Sequence, residues 1–238
     1  MEWVVTLSGS AHILEELSKV FNSPDLCIQK DHDAFVLKSR DFADLTSDDQ
    51  VRDHTTEILT SLNGAAKLSL GSGSPIKIGS ISEIRDDGTR HTYVSAAVVG
   101  ASATITCSVV VIHADGTIEE SHPADPAITW MALSRRDAHV KKALRLIEND
   151  FETWYGLYKV FEIIRQDAGN IVKRGWCTEA ELRRFTQTAN SPDALGLNAR
   201  HAKTIPAPPD PMSLSSAKSF IQKLMGAWLE EKKAQHGL

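Results

Sequence analysis

The sequence predicts an α+β protein in two parts, a β-rich α+β half followed by an all-helical half. Three observations carry this expectation. Short alternating apolar runs occupy most of the chain up to about residue 120, apolar residues then recur at helical spacing, and a Pro-rich segment, Ser121-His122-Pro123-Ala124-Asp125-Pro126, lies between the two patterns. The expected units are residues 1–122 and 123–238.

In the first unit, Glu2–Leu7 alternates and reads as a strand, broken at Ser8-Gly9-Ser10. Ser10 is placed to cap a helix carrying Ile13, Leu14, Leu17 and Phe21. Asn22–Asp25 ends it. Leu26–Gln29 and Ala34–Leu37 flank Lys30–Asp33 as a hairpin. Ser47 or Asp48 opens a second helix with Val51, Ile58, Leu59 and Leu62 on one face, and Asn63-Gly64 is its expected stop. Strands are expected at Lys67–Leu70, Ile76–Ile84, His91–Val99 and Thr104–His113, with turns at Asp87-Gly88 and Asp115-Gly116. Strand, helix, strand, strand, helix, strand is the order of a ferredoxin-like split βαβ unit. The Gly- and Ser-rich segment Ser69–Pro75 lacks the Gly-Lys-Ser/Thr step of a phosphate loop and runs into a strand, so it reads as a loop.

The second unit is expected to be a bundle of about four helices. Ser134, with Asp137 at the capping-box position, opens one with Val140, Leu144 and Ile147 on its apolar face. Asn149-Asp150 either breaks this run or is absorbed into it. A second helix carries Phe151, Trp154, Leu157, Tyr158, Phe161 and Ile164, with Tyr155 in the same stretch, and ends at Gly169. This aromatic face could pass for a stacking platform, but at helical spacing it reads as core. Thr178–Glu181 is a further capping box. The last helix follows Ser213 or Ser215, with Phe220, Leu224 and Trp228 on one face. The long connection Ser191–Met212 precedes it, and long connections tend to carry function.

Composition bounds the function. The chain has 238 residues, of which 42% are hydrophobic and 24% charged, as in globular domains. Met1–Glu120 holds 9 basic and 18 acidic residues, a net of −9, and the remainder nets +4, giving the total of −5. An acidic front half repels nucleic acid, whereas the basic back half does not. Three widely spaced cysteines, Cys27, Cys107 and Cys177, argue for a reducing compartment. Nothing near Met1 reads as a signal peptide, and no apolar run approaches a membrane span, so a cytoplasmic protein without membrane contact is expected. The nine histidines show no metal-ligand spacing, and nucleotide and nucleophile-elbow motifs are missing, so no metal and no cofactor is expected. Cys107, in an apolar run, reads as core. Cys177 lies near Lys173 and Arg174, which would lower its pKa, but also reads as a half-buried residue before a cap.

The segment Ala199-Arg200-His201-Ala202-Lys203, then Pro206–Pro211 and Met212–Ala217, is similar to the end of a group of uncharacterised bacterial proteins. From about Arg135 to Leu229 the chain also resembles HEPN-type helical domains, including those of abortive-infection proteins. The resemblance implies a homodimer whose polar junctions meet, and either metal-independent RNA cleavage or RNA binding in bacterial defence. It would make His201 the base for a 2′-hydroxyl, with Arg200 and Arg184 stabilising the phosphorane, and Arg183, Lys203 and Asn190 as RNA contacts. Such domains carry an arginine a few residues ahead of the histidine, and residues 194–196 ahead of His201 are Ala, Leu and Gly. Any such arginine must therefore come from Arg183, Arg184 or Arg200, or from a second subunit. The other reading gives Arg200 and His201 a structural part, pinning the long connection onto the bundle. Two functions follow: a non-catalytic interaction protein with a helical dimerisation domain, bound to a protein partner, or an RNA-acting enzyme. Whether the chain is an enzyme stays open at this point.

Overall fold

The computed structural model describes residues 2–71, 73–87, 89–94, 109–112, 118–122, 124–200 and 205–238. Within them the protein is α+β, as expected. The chain divides into two compact units, Met1–Met131 and Ala132–Leu238. The division falls inside a helix, not at the Ser121–Pro126 segment. Asp125 already begins that helix, its carboxylate accepting from the His122 amide at 2.7 Å.

The first unit opens with β1 (Glu2–Ser8), α1 (Ala11–Val20), β2 (Asn22–Ser23), β3 (Leu26–Asp31) and β4 (Ala34–Ser39). A short 3-10 turn at Arg40–Phe42 leads to α2 (Asp48–Leu70), β5 (Lys77–Ile84) and β6 (Arg90–Val94). These strands form one antiparallel sheet in the order β2-β3-β4-β1-β5-β6. Because every neighbouring pair is antiparallel, β1 and β3 run parallel with β4 between them, and β4 and β5 run parallel with β1 between them. Each of those parallel pairs is joined by a helix, which lies against the second strand: α1 against β3, α2 against β5.

Register follows the apolar alternation. Val5 sits opposite Leu37 and Ile81, and Leu7 opposite Phe35, so these residues share a face. Val5, Leu17, Leu37, Leu62 and Ile81 are fully excluded from solvent. Burying each such side chain contributes about 1.5–3 kcal/mol. The two residues of the β3–β4 turn are His32 and Asp33, and His32 adopts φ 53°, in the left-handed region.

Two expectations for this unit change. Asn63-Gly64 does not stop α2, and Lys67–Leu70 is helical, not a strand. The stop is Gly71, at φ 65°. Asn63 is tolerated inside the helix because its buried amide is satisfied from outside. Its Nδ2 donates to the Ile76 carbonyl at 3.0 Å, and its Oδ1 accepts from the Ile76 amide at 2.8 Å. Ser10 stands at the N-cap of α1, but its side chain makes no cap bond. Ser47 caps α2 through the Gln50 amide.

A separate two-stranded ladder joins β7 (Val109–Ile112) to β8 (Ile118–Ser121), and α3 (Asp125–Arg136) follows. Residues 95–108 and the Asp115-Gly116 turn, with Cys107, lie outside the described residues, as does Gly88.

The second unit contains α4 (Ala138–Asp150), α5 (Trp154–Ala168), α6 (Glu179–Asn190), the single-turn α7 (Pro192–Leu195) and α8 (Leu214–His236). α5 packs against α4, α6 and α8. Ser134 is interior to α3. The cap of α4 is Asp137 itself, whose Oδ1 accepts from the amides of His139 at 2.8 Å and Val140 at 3.2 Å. α4 ends at Asp150, and Thr153 caps α5 through the Gly156 amide. Glycine is required at 156, because a Cβ there would stand 2.0 Å from the Asp150 carbonyl oxygen.

The aromatic face of α5 is core, centred on Phe185. Its ring lies 6.0 Å from Trp154, 5.4 Å from Phe161 and 5.1 Å from Phe220, and stacks on Tyr158 at 5.9 Å. Trp154, Tyr158 and Trp228 are buried in the single chain. Tyr155 is 57% exposed.

Candidate functional site

The residues singled out in sequence lie on α6 and on the connection from α6 to α8. Two residues of this set, His201 and Lys203, lie outside the described residues. The other four are placed as follows.

Arg200 is held from three directions. Its amide donates to the Ala189 carbonyl at 2.9 Å, its Nη2 donates to Glu162 Oε1 at 2.6 Å, and its guanidinium lies 4.4 Å from the centre of the Tyr158 ring. Lying on an aromatic face with a carboxylate at its edge is a geometry that the planar guanidinium suits. Asn190 stands nearby at the end of α6. Its Nδ2 donates to the Thr186 carbonyl at 2.8 Å and reaches the Tyr158 hydroxyl at 3.5 Å. Its buried Oδ1 has no hydrogen-bond partner among the described residues. Arg200 and Asn190 therefore meet around Tyr158.

Arg184 is engaged elsewhere. Its Nε donates to the Asp210 carbonyl at 2.9 Å and its Nη2 pairs with Asp210 Oδ2 at 2.8 Å. Arg183, one residue earlier, is exposed and lines a groove of about 710 Å³ with Glu179, Gln187, Pro208 and Pro209. Two more bonds hold the connection: the Ser191 hydroxyl donates to the Ile205 carbonyl at 2.6 Å, and the Met212 amide donates to the Thr188 hydroxyl at 3.0 Å. The connection is thus tied to α6 and α5 along its described length. Arg184 and Arg200 serve different carboxylates, so the expected triad of His201, Arg200 and Arg184 does not gather its two arginines on one point.

Cys177 is buried, and its thiol is pushed up from the ordinary value. Burial is the larger cause and the Glu181 carboxylate adds to it, while Lys223 acts weakly the other way. Of the two basic residues near it in sequence, Arg174 turns its guanidinium to Glu231 and to the Trp176 ring.

A second polar cluster escaped sequence reasoning. The Lys232 ammonium, 6% exposed, bonds Asp137 Oδ2 at 2.8 Å and Asp167 at 2.8 Å and 2.9 Å to its two oxygens. The Trp228 indole N–H also donates to Asp167, at 2.8 Å. His139 Nδ1 lies 3.4 Å from Asp167 and His236 Nε2 3.5 Å from Asp137. Burial pushes the Asp137 carboxyl up, but the Lys232 hydrogen bond, the Val140 amide and the Lys232 charge outweigh it and hold it at about 2. Burial likewise pushes Lys232 down, and its bonds to Asp137 and Asp167 more than reverse that. The cluster ties the start of α4 to the ends of α5 and α8. Its partners stand in three distant stretches of sequence, so no local motif betrays it. The one legible signal is a lysine among Trp228 and Leu229 on the apolar stripe of the last helix.

Among the described residues no group of three or more His, Cys, Asp or Glu side chains is arranged to hold a metal. None of the described helices is long and apolar enough to cross a membrane. No family model, curated protein or solved structure matches the chain.

Proposed function

We propose that the chain is a non-catalytic interaction protein whose helical unit serves as a rigid docking scaffold. One observation carries this reading: the guanidinium groups of Arg200 and Arg184 are spent inside the molecule, on Glu162 with Tyr158 and on Asp210. Charge neutralised by a neighbouring carboxylate gives little stabilisation to a developing phosphorane. The same contacts hold the connection at Arg200 and at Asp210, which suits a surface that must keep its shape before a partner arrives.

An assay with fluorescently labelled RNAs of varied sequence, without added metal, tests it. Wild type and His201→Ala should be equally inactive. Metal-independent cleavage by wild type that vanishes in His201→Ala would overturn the proposal and favour the RNA-acting enzyme. The reading also takes the protein to be a cytoplasmic homodimer, supported by the exposed Tyr155 and the fully exposed Leu197, apolar groups that pairing would cover. Light scattering at a single-chain mass of 26.1 kDa at all micromolar concentrations would remove the dimer from it.

A further inference from the structure

We propose that two adjoining grooves flanking the first half of α6 form one docking surface for an acidic, aliphatic-bearing segment of a partner protein. The inference deepens the reading of the chain as an interaction protein and rests on it.

The first groove, of about 510 Å³, is lined by Arg165, Ile171, Lys173 and Leu182 among others. The second is the groove beside Arg183, Pro208 and Pro209. They meet at Glu179, which lines both.

The cations here divide into two kinds. Arg174 and Arg184 end on carboxylates, those of Glu231 and Asp210. Arg165, Lys173 and Arg183 are exposed, and their charged groups have no hydrogen bond or ion pair among the described residues. Against these three stands the carboxylate of Glu179, also unpaired among the described residues. The surface thus presents a local excess of positive charge on a protein whose total charge is −5. An acidic partner satisfies it, and the Glu179 carboxylate between the grooves requires the partner's acids to be separated by uncharged residues.

The walls narrow the class further. They are aliphatic and prolyl, and neither set of lining residues includes an aromatic ring on which a nucleic-acid base would stack. Aliphatic side chains between the acids fit such walls. The surface is also ordered in advance. Asn170 Oδ1 accepts from the Lys173 amide at 3.0 Å, the Ile171 carbonyl accepts from the Trp176 amide at 3.1 Å, and Arg174 Nε donates to the Ala168 carbonyl at 2.7 Å. Little loop entropy is then lost on binding.

Fluorescence anisotropy with the full chain tests the proposal. The probes are a labelled decapeptide of alternating aspartate and leucine, its twin with asparagine for aspartate, and a labelled oligouridylate. The acidic peptide should bind at least about tenfold more tightly than its twin, and less tightly as salt rises. The triple variant Arg165→Ala/Lys173→Ala/Arg183→Ala, confirmed folded by circular dichroism, should lose about tenfold, as expected for three exposed contacts. Equal affinity for the two peptides, an unchanged triple variant, or tighter binding of oligouridylate than of the acidic peptide would each overturn it. RNA cleavage is read in a separate assay, so failure of the docking surface and failure of the non-catalytic reading are distinguishable.

Discussion

Replacing Lys232 with methionine asks whether an ion cluster, beyond apolar packing, holds α4, α5 and α8 together. Methionine keeps most of the stem and removes the ammonium. The carboxylates of Asp137 and Asp167, 9% and 16% exposed, then lose their shared cation. Removing one partner of a buried ion pair costs about 3–5 kcal/mol. The Trp228 indole and the amides of His139 and Val140 still donate to these carboxylates, which places the expected loss near the lower end, at about 3 kcal/mol. For a unit of this size that is a fall in Tm of roughly 12–24 °C. Urea unfolding followed by far-ultraviolet circular dichroism measures it, with an unchanged m-value showing that the same structure is being lost. Acid gives an independent reading. Asp137 is held at about 2 against its ordinary 3.8, so its charge stabilises the fold fully above about pH 4, and that stabilisation is lost as pH falls through about 2. Wild type should therefore lose about 2 kcal/mol more than Asp137→Asn between pH 5 and pH 2. A Lys232→Met protein within about 1 kcal/mol of wild type, or parallel acid curves for wild type and Asp137→Asn, would refute the clamp.

Three further substitutions probe single positions. Asn63→Ala strands both the amide and the carbonyl of Ile76 and should cost about 2–4 kcal/mol; a shift in urea midpoint equivalent to less than about 1 kcal/mol would contradict that accounting. Gly156→Ala drives a methyl into the Asp150 carbonyl and should destabilise by about 3 kcal/mol or more, so normal yield and Tm would show that the α4–α5 junction relaxes freely. His32→Gly removes a side chain from a left-handed backbone position and should raise stability by about 1 kcal/mol; a lowered urea midpoint would mean that the imidazole makes a compensating contact.

Local patterns carried most of the fold because they are local. The alternation of Glu2–Leu7, the capping box at Thr178 and the apolar stripes of α5 and α8 are decided by residues within a turn or two of one another. Prediction failed where a distant partner overrode the local preference. Asn63-Gly64 is an ordinary helix stop until Ile76 arrives to take both ends of the asparagine amide. Ser134 looked like a cap because the helix that contains it, Asp125–Arg136, begins inside a Pro-rich stretch that reads as a linker. The candidate site divides along the same line. The Arg183, Arg184 and Asn190 positions on α6 were legible, but Glu162 and Asp210 as arginine partners were not, since each lies more than twenty residues away. The same distance hid the carboxylates around Lys232.

The separation between Asp137, Asp167 and Lys232 has a consequence in time. The clamp closes only after the chain has brought the first and last long helices of the bundle beside each other, a contact with a large loop-closure cost. Such a contact is expected to form late, on the native side of the folding barrier. Loosening the clamp should then leave the refolding rate nearly untouched and speed unfolding, shortening the lifetime of the native bundle. Lys232 is then expected to lengthen the life of the native bundle.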